Sequence, residues 1–528
     1  MWGNDGEQLK QFRGSNLRNK QYYFQPGITW STVTSANISI RYFGNNYLFD
    51  NGGSCLFAQE NLFYIQGLLN SCVGGAFLTI SPTLNYQPGD IGKVPFISSK
   101  DNDNVEKIVQ NCIDLSKSDW DSFETSWDFE ANPLMAVGTL SDEPHPSAKA
   151  ATFPKGEGIV KTGEGIVKAG EGIVKTGEGI VKAGKEPSPM EKVPSHARRM
   201  RSLAESYEAY KTTVNARFAQ LKANEEELNR IFIDIYGLSD ELTPEVADKD
   251  VTVASIFDTK DDIPDAYKGN NYVLTKEDVI KNLISYAVGC LFGRYSLNKP
   301  GLIYAGGDWQ EIAAANWTQD DFGRGIPDND NVIPITDEAY FEDDITGRFV
   351  TWVKEAFGAD NLEDNLAFIA DALSVKGDNS RDVIRNYFLG GFYADHVKKY
   401  QKRPIYWLYD SGKNNGFKAL IYMHRYNADT TGRVRMDYLH RMEQIYGDEI
   451  KRVTSDIQES TEAREKAKLQ KRLAKLEKQV KECREYDEGI GHLALERIAI
   501  DLDDGVKSNY EKVQTDRNGN KYNILGKI

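Results

Sequence analysis

The chain has 528 residues, 40% hydrophobic and 11% aromatic, enough for several folded bodies and too apolar for a wholly disordered protein. No run approaches a membrane span, residues 1–7 are polar and acidic rather than a secretory signal, and five scattered cysteines without Cys-x-x-Cys read as reduced thiols, so a cytoplasmic location away from membranes is expected. The net charge of −15 is concentrated in residues 240–265 and 320–345, whereas 396–418 and 464–485 are locally basic and read equally as solvated surface or as nucleic-acid contacts.

Residues 1–140 are rich in Tyr, Phe, Ser, Thr, Asn and Gly. The runs 29–42, 47–49 and 54–57 are β-branched or aromatic and are broken by Asn-Asn and Gly-Gly, the chemistry of strands and turns. From Glu60 onward Leu62, Ile65, Leu68, Leu69 and Cys72 recur at helical spacing, and residues 85–90 then turn the chain. A mixed strand-and-helix domain is expected over 1–140. Residues 156–183 are near-identical heptapeptides, GEGIVKT alternating with GEGIVKA. Two glycines per heptad disfavour a helix by about 1 kcal/mol each, and an adjacent Ile-Val pair makes no a/d seam. With prolines on both sides, 141–193 is expected to be a disordered linker. Residues 179–185 fit the start of a phosphate-binding loop, but Glu186 stands where Ser or Thr would hold magnesium.

A helical domain with acidic loops is expected over 194–345, and a helical C-terminal domain over 346–528. Phe218, Leu221, Leu228, Ile231 and Ile235 mark one helix face, with Glu225, Glu226 and Glu227 exposed. Thr275 is placed to cap a helix over 276–292. Shorter helices follow at 349–357, 362–373 and 381–388. Residues 403–409 and 419–424 look like two buried strands joined by the turn 411–416. Over 434–486 two apolar series, from Leu439 to Ile457 and from Leu469 to Cys483, are out of phase across a polar run. This coiled-coil-like segment is either one long helix or a hairpin, and no Gly or Pro decides between them. The fold class is α+β.

No Gly-x-Ser-x-Gly elbow and no His-Glu-x-x-His occurs, and the six histidines do not cluster. His396 and His424 read as surface or core residues and 501–505 as a turn. Glu245 and Asp258 match a nuclease spacing by chance in an acid-rich stretch. No catalytic, cofactor-binding or metal-ligating residue is expected.

The run Gln25-Pro26-Gly27-Ile28-Thr29-Trp30-Ser31, then Phe49-Asp50 and Gly53-Ser54-Cys55, resembles the target-recognition domain of the PglX family, the adenine-specific DNA methyltransferases of BREX phage-exclusion systems. Residues 68–71 with 82–91 look like a motif shared with type IIG and type I specificity domains. Segments 224–234, 290–297, 403–408 and 501–507 resemble the same family, so the likeness covers nearly all the chain outside 141–193. It implies double-stranded DNA as a partner, with a separately encoded methylase half and other BREX subunits as further partners. The family uses S-adenosylmethionine and an Asn-Pro-Pro-Tyr motif. This chain has 17 prolines and no Pro-Pro dipeptide, so no catalytic residue carries over and no cofactor is expected in it. Its recognition domain is expected to be incomplete at the N-terminus. The expected function is the DNA target-recognition and C-terminal part of an N6-adenine-specific methyltransferase; a non-catalytic scaffold and an inactive gene fragment are the alternatives. Aromatic, Ser, Thr, Asn and Gln side chains on loops can read base edges while Arg and Lys hold phosphates, and the candidates are Thr29, Trp30, Ser31, Ser35, Arg41, Asn85 and Gln87.

Overall fold

The computed structural model describes residues 6–15, 17–34, 38–50, 52–80, 85–98, 102–136 and 202–528. The repeats and the expected linker lie outside the described residues, as does Ser35.

In the first region, β1 (Gly27–Ser31) lies between β2 (Arg41–Phe43) and β3 (Gly53–Leu56), antiparallel to both. The two-residue period of a strand sends Ile28 and Trp30 into a core with Ile40, Leu69, Leu78 and Ile91, and Thr29 and Ser31 to the opposite face. The run 29–42 is therefore two strands, and 47–49 is a loop held where the Tyr47 carbonyl accepts from the Phe24 N–H. The helix expected from Glu60 is broken at Ser71 into Leu62–Asn70 and Cys72–Thr79, bent by 67°. Ser71 ends one helix and caps the next, accepting from the Gly74 N–H. A Cβ on Gly74 would lie 2.2 Å from the Leu68 carbonyl, so the bend needs glycine there. The Asn102–Trp120 helix packs beside them through Val105 and Val109.

The 34-residue helix Leu203–Tyr236 starts at a reciprocal cap, Ser202 with Glu205, and stops at Gly237, whose φ is 67°. Its far end, Leu228, Phe232 and Ile233, packs on Tyr64, Leu68, Val73, Val105 and Val109 of the first region. Its near end, Leu203, Tyr207, Tyr210 and Val214, joins a larger core around the Lys276–Leu291 helix. Glu225, Glu226 and Glu227, expected to be exposed, are half-buried, and Glu226 accepts from the Val246 N–H. Thr275 caps Lys276–Leu291 as expected, and Ile280, Leu283, Ile284, Ala287 and Val288 are buried. The short parallel pair β4 (Ser255–Phe257) and β5 (Val273–Thr275) leads into it.

Ile345–Phe357, Leu362–Ala372 and Ser380–Gly390 complete that core. A second small antiparallel sheet has the order β6 (Ile333–Pro334), β8 (Lys418–Tyr422), β7 (Tyr406–Asp410). Tyr406, Leu408, Leu420 and Tyr422 face the core around the Lys276–Leu291 helix, while Trp407, Tyr409, Ala419 and Ile421 face a further core shared with the C-terminal helices. Burial on both faces explains the unbroken apolar runs of these strands. The last segment is a hairpin: His440–Glu459 and Ala463–Glu496 run antiparallel around residues 460–462, with Arg472 on Glu449 and His440 on Asp487. Among the described residues no single helix is long and apolar enough to cross a membrane.

Candidate nucleic-acid interface

The outer face of the first sheet carries Thr29 and Ser31 on β1, Arg41 and Phe43 on β2, and Gly53 and Cys55 on β3. Thr29 is paired directly with Arg41 on one side and Cys55 on the other. Its hydroxyl donates to the Ser54 carbonyl at 2.9 Å. Ser31 and Arg41 are exposed. Beyond Ser31 the chain meets residues 85–86: Val33 bridges Asn85, and the Tyr86 N–H donates to the Thr32 carbonyl at 2.7 Å. Asn85 and Gln87 are joined side chain to side chain at 2.6 Å, next to the cap of the Pro88–Ile91 turn, where Asp90 accepts from the Gln87 N–H. The fold thus brings Thr29, Ser31 and Arg41 onto one face and sets Asn85 and Gln87 beside its strand end.

Trp30 does not belong to that face. It is 3% exposed, and its indole N–H is spent on the Tyr86 carbonyl at 2.9 Å, so it offers no ring surface to a base. The strand period that exposes Thr29 and Ser31 buries Trp30 between them.

The face also holds an open pocket of about 460 Å³, lined by Thr29, Phe43, Tyr47, Phe49, Asp50 and Cys55. Tyr22, Phe43 and Phe49 gather around Phe57 in ring contacts of 4.8 to 5.8 Å. Asp50 Oδ1 accepts from the N–H groups of Gly52 and Gly53, which fixes the turn into β3. Burial pushes the Cys55 thiol up, against a hydrogen bond with Thr29 that lowers it, and the Asp50 charge raises it further. None of these lining residues except Thr29 is among the sequence candidates, because no periodicity in the sequence brings the 47–50 loop beside the strand. Phe49, Asp50, Gly53 and Cys55 nonetheless stand in the motif that carries the family resemblance.

The other polar features are structural. His396 is buried, and its Nε2 accepts from the Ile405 and Tyr406 N–H groups. Burial lowers His424 to about 4. Asp258 is taken by Lys211 and the Tyr207 hydroxyl, and Asp501 accepts from the Asp503 N–H within a turn. No group of three His, Cys, Asp or Glu able to hold a metal occurs among the described residues. Arg294, in the segment 290–297, is half-buried and donates to the hydroxyls of Tyr295 and Tyr422, and Arg425 stacks on Trp309 at 3.6 Å.

No protein-family model matches the chain. Over 529 aligned residues it is 35% identical to the adenine-specific methyltransferase PglX of Lacticaseibacillus casei (strain Zhang), an alignment covering 98% of this chain and 37% of that protein. The chain is homologous to part of these methyltransferases. With the adenine-specific methyltransferase BrxX of Escherichia coli O9:H4 (strain HS) it shares 33% identity over 524 residues, 96% of this chain and again 37% of the relative. The chain therefore spans little more than a third of the length of the curated relatives it matches, which is consistent with a C-terminal portion.

Proposed function

We propose that this chain is the DNA-recognition part of an N6-adenine-specific methyltransferase of a BREX-type defence system, and that the outer face of its first sheet meets the duplex. The observation that carries the reading is the similarity of nearly the whole of this chain to part of adenine-specific methyltransferases, at 35% and 33% identity. Geometry supports it: Thr29, Ser31, Asn85 and Gln87 offer donors and acceptors for base edges, and Arg41 offers a cation for a phosphate. In this reading S-adenosylmethionine binds a methylase half that this sequence does not contain, so calorimetric titration of the chain alone is expected to give no micromolar binding.

The test is binding to random duplexes and to duplexes carrying the adenine methylation site, at two salt concentrations, with and without a supplied methylase half. Salt-dependent binding of the chain, and adenine methylation once the half is supplied, are expected. Absence of both overturns the reading. A second reading, docking of another defence subunit, is favoured by Trp127 and Trp120, which are 99% and 59% exposed on the first region; large exposed rings are typical anchors of protein interfaces. Co-purification with such a subunit without any DNA binding would favour it.

A further inference from the structure

Between Val453 and Leu476 no side chain of the C-terminal hairpin is buried. Its apolar seam there is only partly covered, at Ile457, Leu469 and Leu473, and ion pairs from Arg472 to Glu338 and from Lys475 to Asp337 tie it to the body. It projects from the body as an arm, and its two strands of helix differ in charge. On the Ala463–Glu496 helix, Arg464, Lys468, Lys471, Lys475 and Lys478 follow at spacings of four, three, four and three residues, which places them on one face. No exposed acid lies on that face; Glu465 and Glu477 point elsewhere on the helix, and Glu482, in line with the stripe, is buried. Lys475 is drawn to Asp337. Arg464, Lys468, Lys471 and Lys478 have no ion-pair partner among the described residues. On the facing helix Asp448 is engaged with Lys451, Glu449 with Arg452 and Arg472, and Asp456 with Arg452, while Glu459 accepts from the Ser455 hydroxyl.

We infer that this stripe is a backbone clamp for duplex DNA, gripping phosphates alongside the stretch read by the first region. The inference rests on the proposed DNA-recognition function and assigns its sequence-independent part to the arm. Four unpaired cations on one helix face, on a chain whose net charge is −15, form a local positive surface where the average would predict none. The stripe is about 21 Å long at 1.5 Å per residue. This matches about six base-pair steps at 3.4 Å along one strand. Flexible lysines on an exposed helix supply charge without base geometry, as a sequence-independent grip needs.

The experiment uses the full chain with the substitutions Arg464→Gln, Lys468→Gln, Lys471→Gln and Lys478→Gln together, all exposed, and a control with Lys249→Gln, Lys260→Gln, Lys507→Gln and Lys512→Gln, which removes the same charge elsewhere. Duplex affinity is measured from 50 to 200 mM salt. Losing four phosphate contacts lowers the slope of log K against log salt by about 3.6. Wild-type affinity should then fall about 150-fold more than that of the variant across this range. The ranking of duplex sequences should stay unchanged, and the control should keep the wild-type slope. A stripe variant with the wild-type slope overturns the inference while leaving the recognition reading intact. So does an equal loss in the control, or a variant that loses binding to phosphatidylserine vesicles but not to DNA. A wild-type chain that binds no duplex overturns both.

Discussion

Glu482 seats the hairpin on the sheet, and its neutralisation is the sharpest test of how the arm is held. The residue is 8% exposed. Its Oε1 accepts from Ser411 Oγ and the Gly416 N–H at 2.9 and 3.0 Å, and its Oε2 accepts from the Asn414 N–H and Asn414 Nδ2 at 2.9 and 2.8 Å. These donors all belong to the turn between β7 and β8. The turn comes so close that a Cβ on Gly416 would lie 2.7 Å from the Gln479 carbonyl. Glu482→Gln replaces one accepting oxygen with a donor, so two buried donors lose their partner and face an N–H instead. At about 1–3 kcal/mol for each orphaned donor, the expected loss is about 3 kcal/mol at pH 7. Burial pushes the Glu482 carboxyl up, but the hydrogen bonds from Gly416, Asn414 and Ser411 outweigh it and hold the group below its usual range. With the folded value depressed, this stabilisation is complete above the unfolded value of about 4.3 and is lost as pH falls through the folded one. Urea unfolding of both proteins from pH 8 to pH 3 should show a constant gap that narrows below about pH 4. A gap under about 0.5 kcal/mol at pH 7, the scatter of an ordinary surface change, would refute the seating role of Glu482. So would a gap that widens on acidification.

Burial, with the nearby Asp250 and Glu226 charges, raises Glu225 to about 7. A raised carboxyl favours the fold at low pH and penalises it as pH rises through the folded value, so Glu225→Gln should match wild type near pH 4 and be more stable at pH 8, by up to about 3 kcal/mol in urea titration. Trp30→Ala removes a buried ring and the bond to the Tyr86 carbonyl; about 3–5 kcal/mol of the first region's stability should go, seen as faster hydrogen exchange in β1–β3 with β7 and β8 still protected. Arg41→Gln should weaken binding to all duplexes alike and lower the salt slope by about 0.9, and a change confined to one base position would move Arg41 from phosphate to base contact.

What the sequence made legible follows its periodicities. β7, β8, the Thr275-capped helix and the short helices between them carry dense apolar patterns with clear ends, and they fold where those patterns lie. The hairpin could not be told from a continuous helix because no glycine or proline marks the reversal; the break at Ser460-Thr461-Glu462 shows in sequence only as a phase slip between two apolar series. The break at Ser71 was hidden for the opposite reason, since apolar residues continue through it and the bend depends on Gly74 tolerating a carbonyl no side chain could. The Asn102–Trp120 helix was overlooked although Val105, Ile108, Val109, Cys112 and Ile113 keep helical spacing. In the candidate interface, strand alternation was legible in principle and would have separated Trp30 from Thr29 and Ser31. The pocket was not, because Tyr47, Phe49 and Asp50 reach it from a loop that no periodicity describes.

The acidic stretches show why net charge is a poor guide to what this chain touches. In residues 240–265, Asp248 takes Lys222 and Asp258 takes Lys211, pinning loops to the long helix. In residues 320–345, Asp328 and Asp344 take Arg348 and Arg385, while Asp337 and Glu338 reach Lys475 and Arg472 of the arm. Asp328 is 1% exposed and also accepts from the Asn331 and Val332 N–H groups. Much of the acid thus serves as internal counter-charge for bases that would otherwise be stranded between helices. Two bases of the arm are consumed near its base in this way, and the cations of its stripe nearer the tip have no such partner. The surface charge a polyanion meets is set by which pairs folding closes, and on this arm folding leaves the positive side open.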